Sequence, residues 1–391
     1  MIDDARPRSS GELARFTRDL TAEARAGRLE PVRCRADEIA RVIDILLRHG
    51  KNNPVLVGAA GVGKTAIVEG FAQRIASGDV PLVLRDVRVL SLDHVALLAG
   101  TTYRGQYEER IRILVEQTTA SPDVILFIDE LHNLIGQGTA MGAAMDAANM
   151  LKPSLVRGDF RVIGATTDEE YDRWVGGDPA LERRFQKVAV RELGVPETFD
   201  IIRARKERLE RHHNVVITDE AIAACVELTD KHVTDRRRPD KAIDALDEAC
   251  AHTQAVAKYP PRAETLVKDR VRRLREAAAS PKRGDADPFA GRPQEEEWGQ
   301  VARDGMSALE RFGAELEKMF AAPVGTGSNP PPSPRPEPPA PKAPPSLGEI
   351  ETELARVLAE EGIVVRGHDV ARVVGLMSGR EVVWSSSETP L

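Results

Sequence analysis

Apolar residues in the first half of the chain occur in four short, nearly continuous runs, at residues 55–57, 87–92, 124–128 and 161–165. Runs of this length are typical of strands that are buried on both faces. The longer segments between them repeat apolar residues at helical spacing. Strands that alternate with helices pair in parallel through right-handed crossovers. The pattern therefore predicts a three-layer α/β fold around a parallel sheet.

The pattern changes along the rest of the chain. Residues 11–28 predict an amphipathic, charge-rich helix, and after about residue 190 the apolar periodicity is helical alone. Six segments are predicted in chain order: an N-terminal helical arm (1–30), an α/β domain (31–190), a small all-α lid domain (191–258), a charged helical extension (259–324), a Pro-rich linker (325–346) and a short C-terminal helical segment (347–391). The linker composition favours an extended, solvated chain.

The best-defined motif follows the first predicted strand and opens a helix. It reads Gly-Ala-Ala-Gly-Val-Gly-Lys-Thr at residues 58–65 and fits G-x-x-x-x-G-K-[ST], the phosphate-binding loop. In such a loop the backbone N–H groups converge on phosphate oxygens, and the helix dipole adds to their attraction. Lys64 is expected to reach the β- and γ-phosphates and Thr65 to ligate Mg²⁺. The predicted nucleotide-binding residues are Gly58, Ala59, Ala60, Gly61, Val62, Gly63, Lys64, Thr65 and Ala66.

A pair of carboxylates ends the apolar run at residues 124–128. These are Asp129 and Glu130, and the carboxyl end of a strand faces the ligand crevice in a doubly wound sheet. Asp129 is expected to hold Mg²⁺ and Glu130 to polarise the attacking water. Acidic pairs also cap strands without any chemical role, but the phosphate-binding loop favours the catalytic interpretation. Together the two motifs predict ATP and Mg²⁺ as ligands.

Bulk composition limits the functions that remain. The chain has 391 residues, of which 41% are hydrophobic and 30% are charged, and its formal net charge is −7. An acidic balance argues against broad attachment to nucleic acid, so no nucleic-acid partner is expected. No apolar run approaches the length of a membrane span, and the N-terminus lacks a signal-peptide pattern, so a cytoplasmic location without membrane attachment is expected.

Two other residue types suggest no chemistry of their own. Cys34, Cys225 and Cys250 are widely spaced and odd in number, which indicates reduced thiols, with the last two on apolar helical faces. His212 and His213 have no further ligands at metal spacing, so a metal role is not expected for them.

Three more residues become candidates through their positions. Thr167 closes the strand next to the one that bears Asp129, so its hydroxyl is placed to orient water or to sense the γ-phosphate. Arg183 and Arg184 lie beyond the sheet, where they suit a subunit boundary and a neighbour's phosphate. Taken alone, the two arginines are better explained as solvated charges.

Residues from about 16 to 252 resemble the first ATPase domain of the Clp AAA+ unfoldases of the ClpB and ClpC type. The matching motifs lie, in chain order, at residues 16–21, 51–54, 58–65, 103–105, 108–110, 126–132, 149–153, 164–167, 180–185 and 239–244. The resemblance implies a hexameric ring in which Thr167 is sensor 1 and Arg183 and Arg184 act in trans as arginine fingers. It also implies that Tyr103, Arg104 and Gly105 form a pore loop that grips protein substrates, with a weaker second loop at residues 136–142.

An aromatic ring grips through contact area with almost any side chain, so such a loop need not read sequence. A tyrosine that packs on its own domain is the ordinary alternative for Tyr103. The chain departs from the family at Ala59 and Ala60, where a Glu-Pro pair is usual, at Arg33 and Cys34, where Ile-Gly is usual, and at residue 102, where Thr replaces Lys.

The resemblance covers neither the family's N-terminal substrate domain, its coiled-coil middle domain nor its second ATPase domain. A protease partner of the ClpP type is therefore not expected. The leading hypothesis is a Mg²⁺-dependent ATPase ring that unfolds, remodels or disaggregates proteins. The alternative is an ATP-switched assembly factor or scaffold that recruits a partner through the C-terminal segment. A DNA-loading ATPase is a third hypothesis, which the acidic charge disfavours.

Overall fold

The computed structural model describes residues 13–100, 104–135, 151, 153–279 and 345–385, and its centre is a six-stranded sheet. The strands are β1 (Thr17–Asp19), β2 (Asn53–Val57), β3 (Arg88–Leu92), β4 (Val124–Ile128), β5 (Arg161–Thr166) and β6 (Phe185–Ala189). They lie in the order β1-β3-β4-β5-β2-β6, and every neighbouring pair is parallel except β1 with β3. The predicted α/β fold is confirmed, with one antiparallel strand at the edge of the sheet.

Helices cover both faces of this sheet. Those described are α1 (Leu13–Phe16), α2 (Leu20–Arg25), α3 (Ala36–Leu46), α4 (Lys64–Ser77), α5 (His94–Leu98), α6 (Arg104–Thr119), α7 (Leu131–Ile135), α8 (Asp168–Tyr171) and α9 (Pro179–Glu182). Along β2, Val55 and Val57 join a core shared with α1, α6 and α7, whereas Leu56 joins a core shared with α3 and α4. Because successive strand residues point to opposite faces, the sheet carries one apolar layer on each side.

The prediction of one continuous helix over residues 11–28 is wrong, and so is a purely helical arm over residues 1–30. Within the described part, α1 ends at Phe16, β1 follows, and α2 begins after Asp19. The Asp19 side chain caps α2 by accepting a hydrogen bond from the Ala22 backbone N–H (2.8 Å). Thr17 pairs with Leu92 of β3. A three-residue strand that forms by pairing so far along the chain leaves no alternating pattern of its own.

A helical lid follows the sheet. It contains α10 (Val195–His213), a two-residue strand β7 (Val216–Ile217), α11 (Asp219–His232) and α12 (Asp240–Val256). Thr218 caps α11, since its side chain accepts a hydrogen bond from the Ala221 backbone N–H (3.1 Å). The predicted small helical lid after the α/β domain is confirmed.

A second compact unit lies within Tyr259–Val357. Its described elements are α13 (Pro261–Ala279) and most of α14 (Leu347–Glu360). Arg262 of α13 forms an ion pair with Glu353 of α14. The part of the predicted charged extension at residues 280–324 and the predicted Pro-rich linker as far as residue 344 lie outside the described residues.

The chain then returns to complete the lid. Strand β8 (Val364–Val365) pairs in parallel with β7, and α15 (Gly367–Ser378) packs against α11. The Thr218 hydroxyl, which caps α11, also donates a hydrogen bond to the Val365 carbonyl (2.9 Å). The prediction of a separate C-terminal helical segment at residues 347–391 is therefore wrong from Leu358 onward. A pairing between two-residue strands so far apart has no local signature in the sequence.

The role of α15 in the lid can be tested with two substitutions on the same helix. Val374 is fully buried, whereas Leu376 is 68% exposed. Val374→Ala is expected to lower the free energy of unfolding by about 2 kcal/mol, because it removes two buried methyl groups and leaves a cavity. Leu376→Ala is the matched control and is expected to change it little. Thermal melting followed by circular dichroism measures both, and equal melting temperatures would contradict the packing of α15 in the lid.

The three cysteines are free thiols. Cys34 is exposed, whereas Cys225 and Cys250 are buried. Burial raises the pKa of both buried thiols, that of Cys250 to about 12, so they are neutral core side chains. In the described ranges no helix is both long and apolar enough to cross a membrane, and no group of three or more His, Cys, Asp or Glu side chains is placed to hold a metal ion.

Candidate nucleotide site

The phosphate-binding loop connects β2 to α4 and needs glycine at defined points. Gly63, the residue before α4, has φ of 91°, a left-handed conformation that favours glycine. Gly58 has a steric reason instead, because a Cβ atom there would lie 2.3 Å from the Val190 carbonyl oxygen. The loop therefore lies directly against the chain segment that follows β6.

Lys64 folds back over this loop. Its Nζ atom donates hydrogen bonds to the carbonyl oxygens of Gly58 (2.8 Å) and Ala59 (2.9 Å). Burial lowers the pKa of Lys64, while the negative charges of Asp129 and Glu170 act in the opposite direction. The ammonium group is thus held inside the curve of the loop.

The two predicted metal ligands meet at the sheet edge. The Thr65 hydroxyl donates a hydrogen bond to Asp129 Oδ2 (2.8 Å). A hydroxyl and a carboxylate are hard oxygen donors of the kind Mg²⁺ takes, and Mg²⁺ commonly combines one or two protein ligands with phosphate oxygens and water. The donor set therefore fits Mg²⁺ bound together with a nucleotide.

Glu130 has an unusual backbone. Its φ is 50°, a left-handed conformation that is uncommon for a residue with a side chain and that marks many functional sites. Its Oε2 accepts a hydrogen bond from Asn133 Nδ2 (2.6 Å), and its backbone N–H donates to Asp129 Oδ1 (3.0 Å). The structure thus adds Asn133, which the sequence analysis missed, as the residue that holds the Glu130 carboxylate.

Glu170 organises the neighbouring strand end. It accepts hydrogen bonds from the hydroxyls of Thr167 (2.8 Å) and Thr166 (3.1 Å), and its Oε2 lies 2.9 Å from His132 Nδ1. Burial alone would raise the pKa of Glu170, but the bonds from Thr167, the charge of His132 and the bond from Thr166 outweigh it and lower this pKa. The Thr167 hydroxyl is therefore engaged by Glu170. Neither Glu170 nor His132 is among the site residues predicted from the sequence.

This depressed pKa predicts a pH-dependent stability. The ionised Glu170 stabilises the fold above its ordinary pKa of 4.5, and this contribution is lost as pH falls through the lower folded value. Glu170→Gln is therefore expected to destabilise the protein most near pH 7, with the gap to wild type closing below pH 4.5. Melting temperatures measured across this range test it, with the exposed Glu169→Gln as control. A gap that stays constant with pH would contradict the assignment.

A cavity of about 450 Å³ joins these groups. Its lining residues are Ala60, Gly61, Gly63, Lys64, Thr65, Asp129, Glu130, His132, Thr166, Thr167, Glu170 and Asp240. A narrower cavity of about 90 Å³ shares Gly61, Gly63 and Asp240 with it, and its lining combines apolar side chains such as Val62 and Ala66 with charged ones such as Glu69. The larger cavity, which holds a cation, suits the phosphates of a nucleotide, and the smaller one, with its mixed lining, suits the base.

Asp240 is the lid residue at this site. It begins α12, and its Cβ atom would lie 3.0 Å from a Cβ atom placed on Gly61. Burial raises the pKa of Asp240, and the negative charge of Asp244 adds to this effect. The lid therefore contacts the phosphate-binding loop directly, which the sequence motif at residues 239–244 did not reveal.

The two predicted arginine fingers lie away from the cavity and differ from each other. Arg183 is exposed, and its side chain has no ion pair or hydrogen bond among the described residues. Arg184 is half-buried and donates a hydrogen bond from Nη2 to the Arg157 carbonyl (3.1 Å). The structure thus brings Lys64, Thr65 and the strand-end residues together, but places neither arginine at the cavity of its own subunit.

Tyr103 of the predicted pore loop and the predicted second loop at residues 136–142 lie outside the described residues. Arg104 and Gly105 begin α6, and Gly100 before the loop has φ of 72°. Arg110 of α6 donates hydrogen bonds from Nη1 to the carbonyls of Leu97 (2.7 Å) and Ala99 (2.8 Å). These bonds join α6 to the end of α5.

Comparison with known proteins agrees with this geometry. Residues 54–193 match the "ATPase family associated with various cellular activities (AAA)", and residues 194–296 match the "AAA lid domain". Chaperone protein ClpB 1 of Parasynechococcus marenigrum is 53% identical over 252 residues, which are 64% of this chain and 29% of that protein. Chaperone protein ClpB of Vibrio vulnificus is 47% identical over 313 residues, 79% of this chain and 36% of that protein.

Solved structures give the same result. Hsp104 of S. cerevisiae in its casein complex has a TM-score of 0.56 and 44% identity, over 62% of this chain and 42% of that chain. The S. cerevisiae Hsp104-ADP complex has a TM-score of 0.58 at the same identity, over 41% of that chain. The chain spans about a third of the length of the ClpB relatives that it matches. With an ATPase domain followed by its lid domain, and in agreement with the Clp resemblance, this chain belongs to the AAA ATPase family.

Proposed function

We propose that this protein is a Mg²⁺-dependent ATP hydrolase. The observation that carries the proposal is the single cavity in which the Lys64 ammonium, the Thr65 and Asp129 oxygens and the Glu130 carboxylate meet. ATP hydrolysis needs a cation on the phosphates, hard oxygen ligands for a divalent ion and a carboxylate beside the attacking water. Each requirement has a residue within this one cavity.

The residues that line the cavity have different roles in the proposed hydrolysis of ATP. Lys64 offsets the charge that develops on the transferred phosphoryl group, and the N–H groups of the loop bind the phosphate oxygens. Glu130 accepts the proton of the water that attacks the phosphorus, and Asn133 sets the direction of its carboxylate. Thr65 and Asp129 would hold Mg²⁺, which would neutralise phosphate charge. Thr167 and Glu170 form one hydrogen-bonded unit in the lining of the same cavity.

We further propose that the protein acts as a ring of identical subunits and that this ring is a hexamer. Arg183 supports this because it is exposed and lies outside the cavity of its own subunit. An arginine placed in this way can complete the site of a neighbouring copy and stabilise transition-state charge there. In this proposal Arg183 is the arginine finger, and Arg184 serves mainly to hold its own subunit's backbone.

The proposed use of ATP turnover is the unfolding, remodelling or disaggregation of protein substrates. The ClpB relatives are chaperones by name, and one Hsp104 structure is a complex with casein. In this chain the Arg110 contacts join the two helices that precede and follow Tyr103 in the sequence. The setting proposed is the cytoplasm, with protein substrates and without a nucleic-acid, membrane or ClpP-like protease partner.

The test measures Mg²⁺-ATP hydrolysis by the full chain with and without casein as an unfolded polypeptide. Casein is expected to stimulate ATP hydrolysis, because the ring then holds a polypeptide on which it can act. Tyr103→Ala is expected to abolish the stimulation but to retain basal turnover, and Tyr103→Phe, which keeps the ring, is expected to restore it. If ATP turnover by the wild-type protein is the same with and without casein, the proposed remodelling function is overturned. The proposal of ATP hydrolysis would still stand.

The alternative of an ATP-switched scaffold is not favoured. It relied on the C-terminal segment as a free recruiting element, but β8 and α15 complete the lid. Deletion after residue 345 therefore cannot separate the two hypotheses, since it also removes lid structure. The Tyr103 variants separate them, because a scaffold has no need of an aromatic ring in that loop.

A further inference from the structure

Arg35 is the most buried charged side chain among the described residues, with 2% of its surface exposed. Its guanidinium nevertheless makes three hydrogen bonds. Nη1 donates to Glu38 Oε1 (2.7 Å), and Nη2 donates to the carbonyl oxygens of Val62 (2.6 Å) and Arg191 (3.0 Å). A buried charge persists only where it is paired and hydrogen-bonded, so this arrangement depends on all three partners.

The two carbonyl groups belong to different parts of the molecule. Val62 lies within the phosphate-binding loop, immediately before Gly63. Arg191 lies in the connector, defined as residues 190–194, which joins β6 to α10. A single nitrogen of Arg35 therefore links the loop to the connector. A shift of the Val62 carbonyl either moves the connector or breaks one of these bonds.

The connector is in turn bound to the lid. Glu192 accepts hydrogen bonds from the Arg238 backbone N–H (3.0 Å) and from Arg238 Nε (3.3 Å). Arg238 lies two residues before Asp240, which contacts Gly61 of the loop. The contacts thus form a closed path from the phosphate-binding loop through Arg35 and the connector to the start of α12.

We propose that Arg35 is a positioning residue that transmits nucleotide occupancy of the phosphate-binding loop to the connector and the lid. This inference rests on the proposed nucleotide site but not on hydrolysis. Phosphate binding directs the loop N–H groups onto phosphate oxygens and so fixes the orientation of the peptide that carries the Val62 carbonyl. The fork of Arg35 then holds Arg191 in register with that peptide. Arginine suits this role because its guanidinium is planar and always charged.

Hydrogen–deuterium exchange of the full chain, with and without saturating ADP, tests the proposal. In wild type, ADP is expected to slow exchange both in the loop at residues 58–65 and in the connector. In Arg35→Met, protection of the loop is expected to remain, while the ADP-dependent slowing in the connector falls about tenfold, as for loss of a typical coupling. Arg41→Met, at an exposed position on α3, the helix that begins directly after Arg35, is the control and is expected to behave as wild type.

A second variant covers the case in which the methionine variant does not fold. Arg35→Lys keeps a positive charge beside Glu38, but a single ammonium does not reproduce the planar fork. It is expected to fold and bind ADP, yet to lose connector protection. Wild-type connector protection in Arg35→Lys or Arg35→Met would overturn the proposal, and so would a wild type in which ADP protects the loop alone. A wild type that binds ADP without hydrolysing ATP would reject the proposed function and leave this test valid.

Discussion

Glu130→Gln is expected to reduce ATP turnover about 10³-fold while leaving ATP binding close to wild type, because loss of a general base typically costs this much. Glutamine has nearly the same size and shape and still accepts a hydrogen bond from Asn133. It cannot take the proton of the attacking water. The positions of Lys64 and Thr65, the proposed ligands of the phosphates and the metal ion, are independent of this change.

Single-turnover hydrolysis and equilibrium binding of a fluorescent ATP analogue measure the two effects separately. Glu169→Gln is the matched control, since it makes the same chemical change at an exposed carboxylate outside the cavity. Turnover within a few-fold of wild type in Glu130→Gln would show that another group is the base. Loss of ATP binding would instead show that the left-handed backbone at residue 130 depends on the carboxylate.

The parts of the fold that sequence predicts well are those encoded by neighbouring residues. Strand β4 is a run of apolar residues, and its burial on both faces follows directly from that run. Part of the phosphate-binding loop is equally local, because Gly63 is required by the left-handed φ of its own backbone. Gly58, in contrast, is required by the carbonyl oxygen of the distant Val190. The gathering of Lys64, Thr65 and Asp129 also follows from local motifs, once parallel strands bring their carboxyl ends to one edge.

The parts that sequence does not predict depend on contacts between distant segments. Strand β1 forms because it pairs with β3. Strand β8 forms because it pairs with β7, although the second compact unit lies between these two strands in the sequence. Asp240 and Arg35 are further examples. Each is an ordinary charged residue in a helical or loop pattern, and only the folded chain places one against Gly61 and the other between two backbone carbonyls.

Arg183 and Arg184 differ in their contacts, although the sequence predicts the same role for both. Arg184 donates to the Arg157 carbonyl of its own subunit, whereas Arg183 remains exposed. Arg183→Ala is expected to reduce turnover about 10³-fold with ATP binding retained, the lower end of the effect of an arginine finger. Arg184→Ala is expected to destabilise the fold by about 1 kcal/mol, for one hydrogen bond lost, and to change turnover much less. Equal loss of turnover in both variants would contradict this division.

Mixing two inactive variants tests whether the site is shared between subunits. A ring that contains both Glu130→Gln and Arg183→Ala subunits has some sites where a subunit with intact Glu130 faces a neighbour with intact Arg183. At equal amounts, random assembly makes about one quarter of all sites intact in this way, so about one quarter of wild-type turnover is expected to return. If Arg183 acted within its own subunit, every site would lack either the base or the arginine and no turnover would return. Recovery on mixing therefore requires both the role of Arg183 and the assembly that brings it to a neighbour's site.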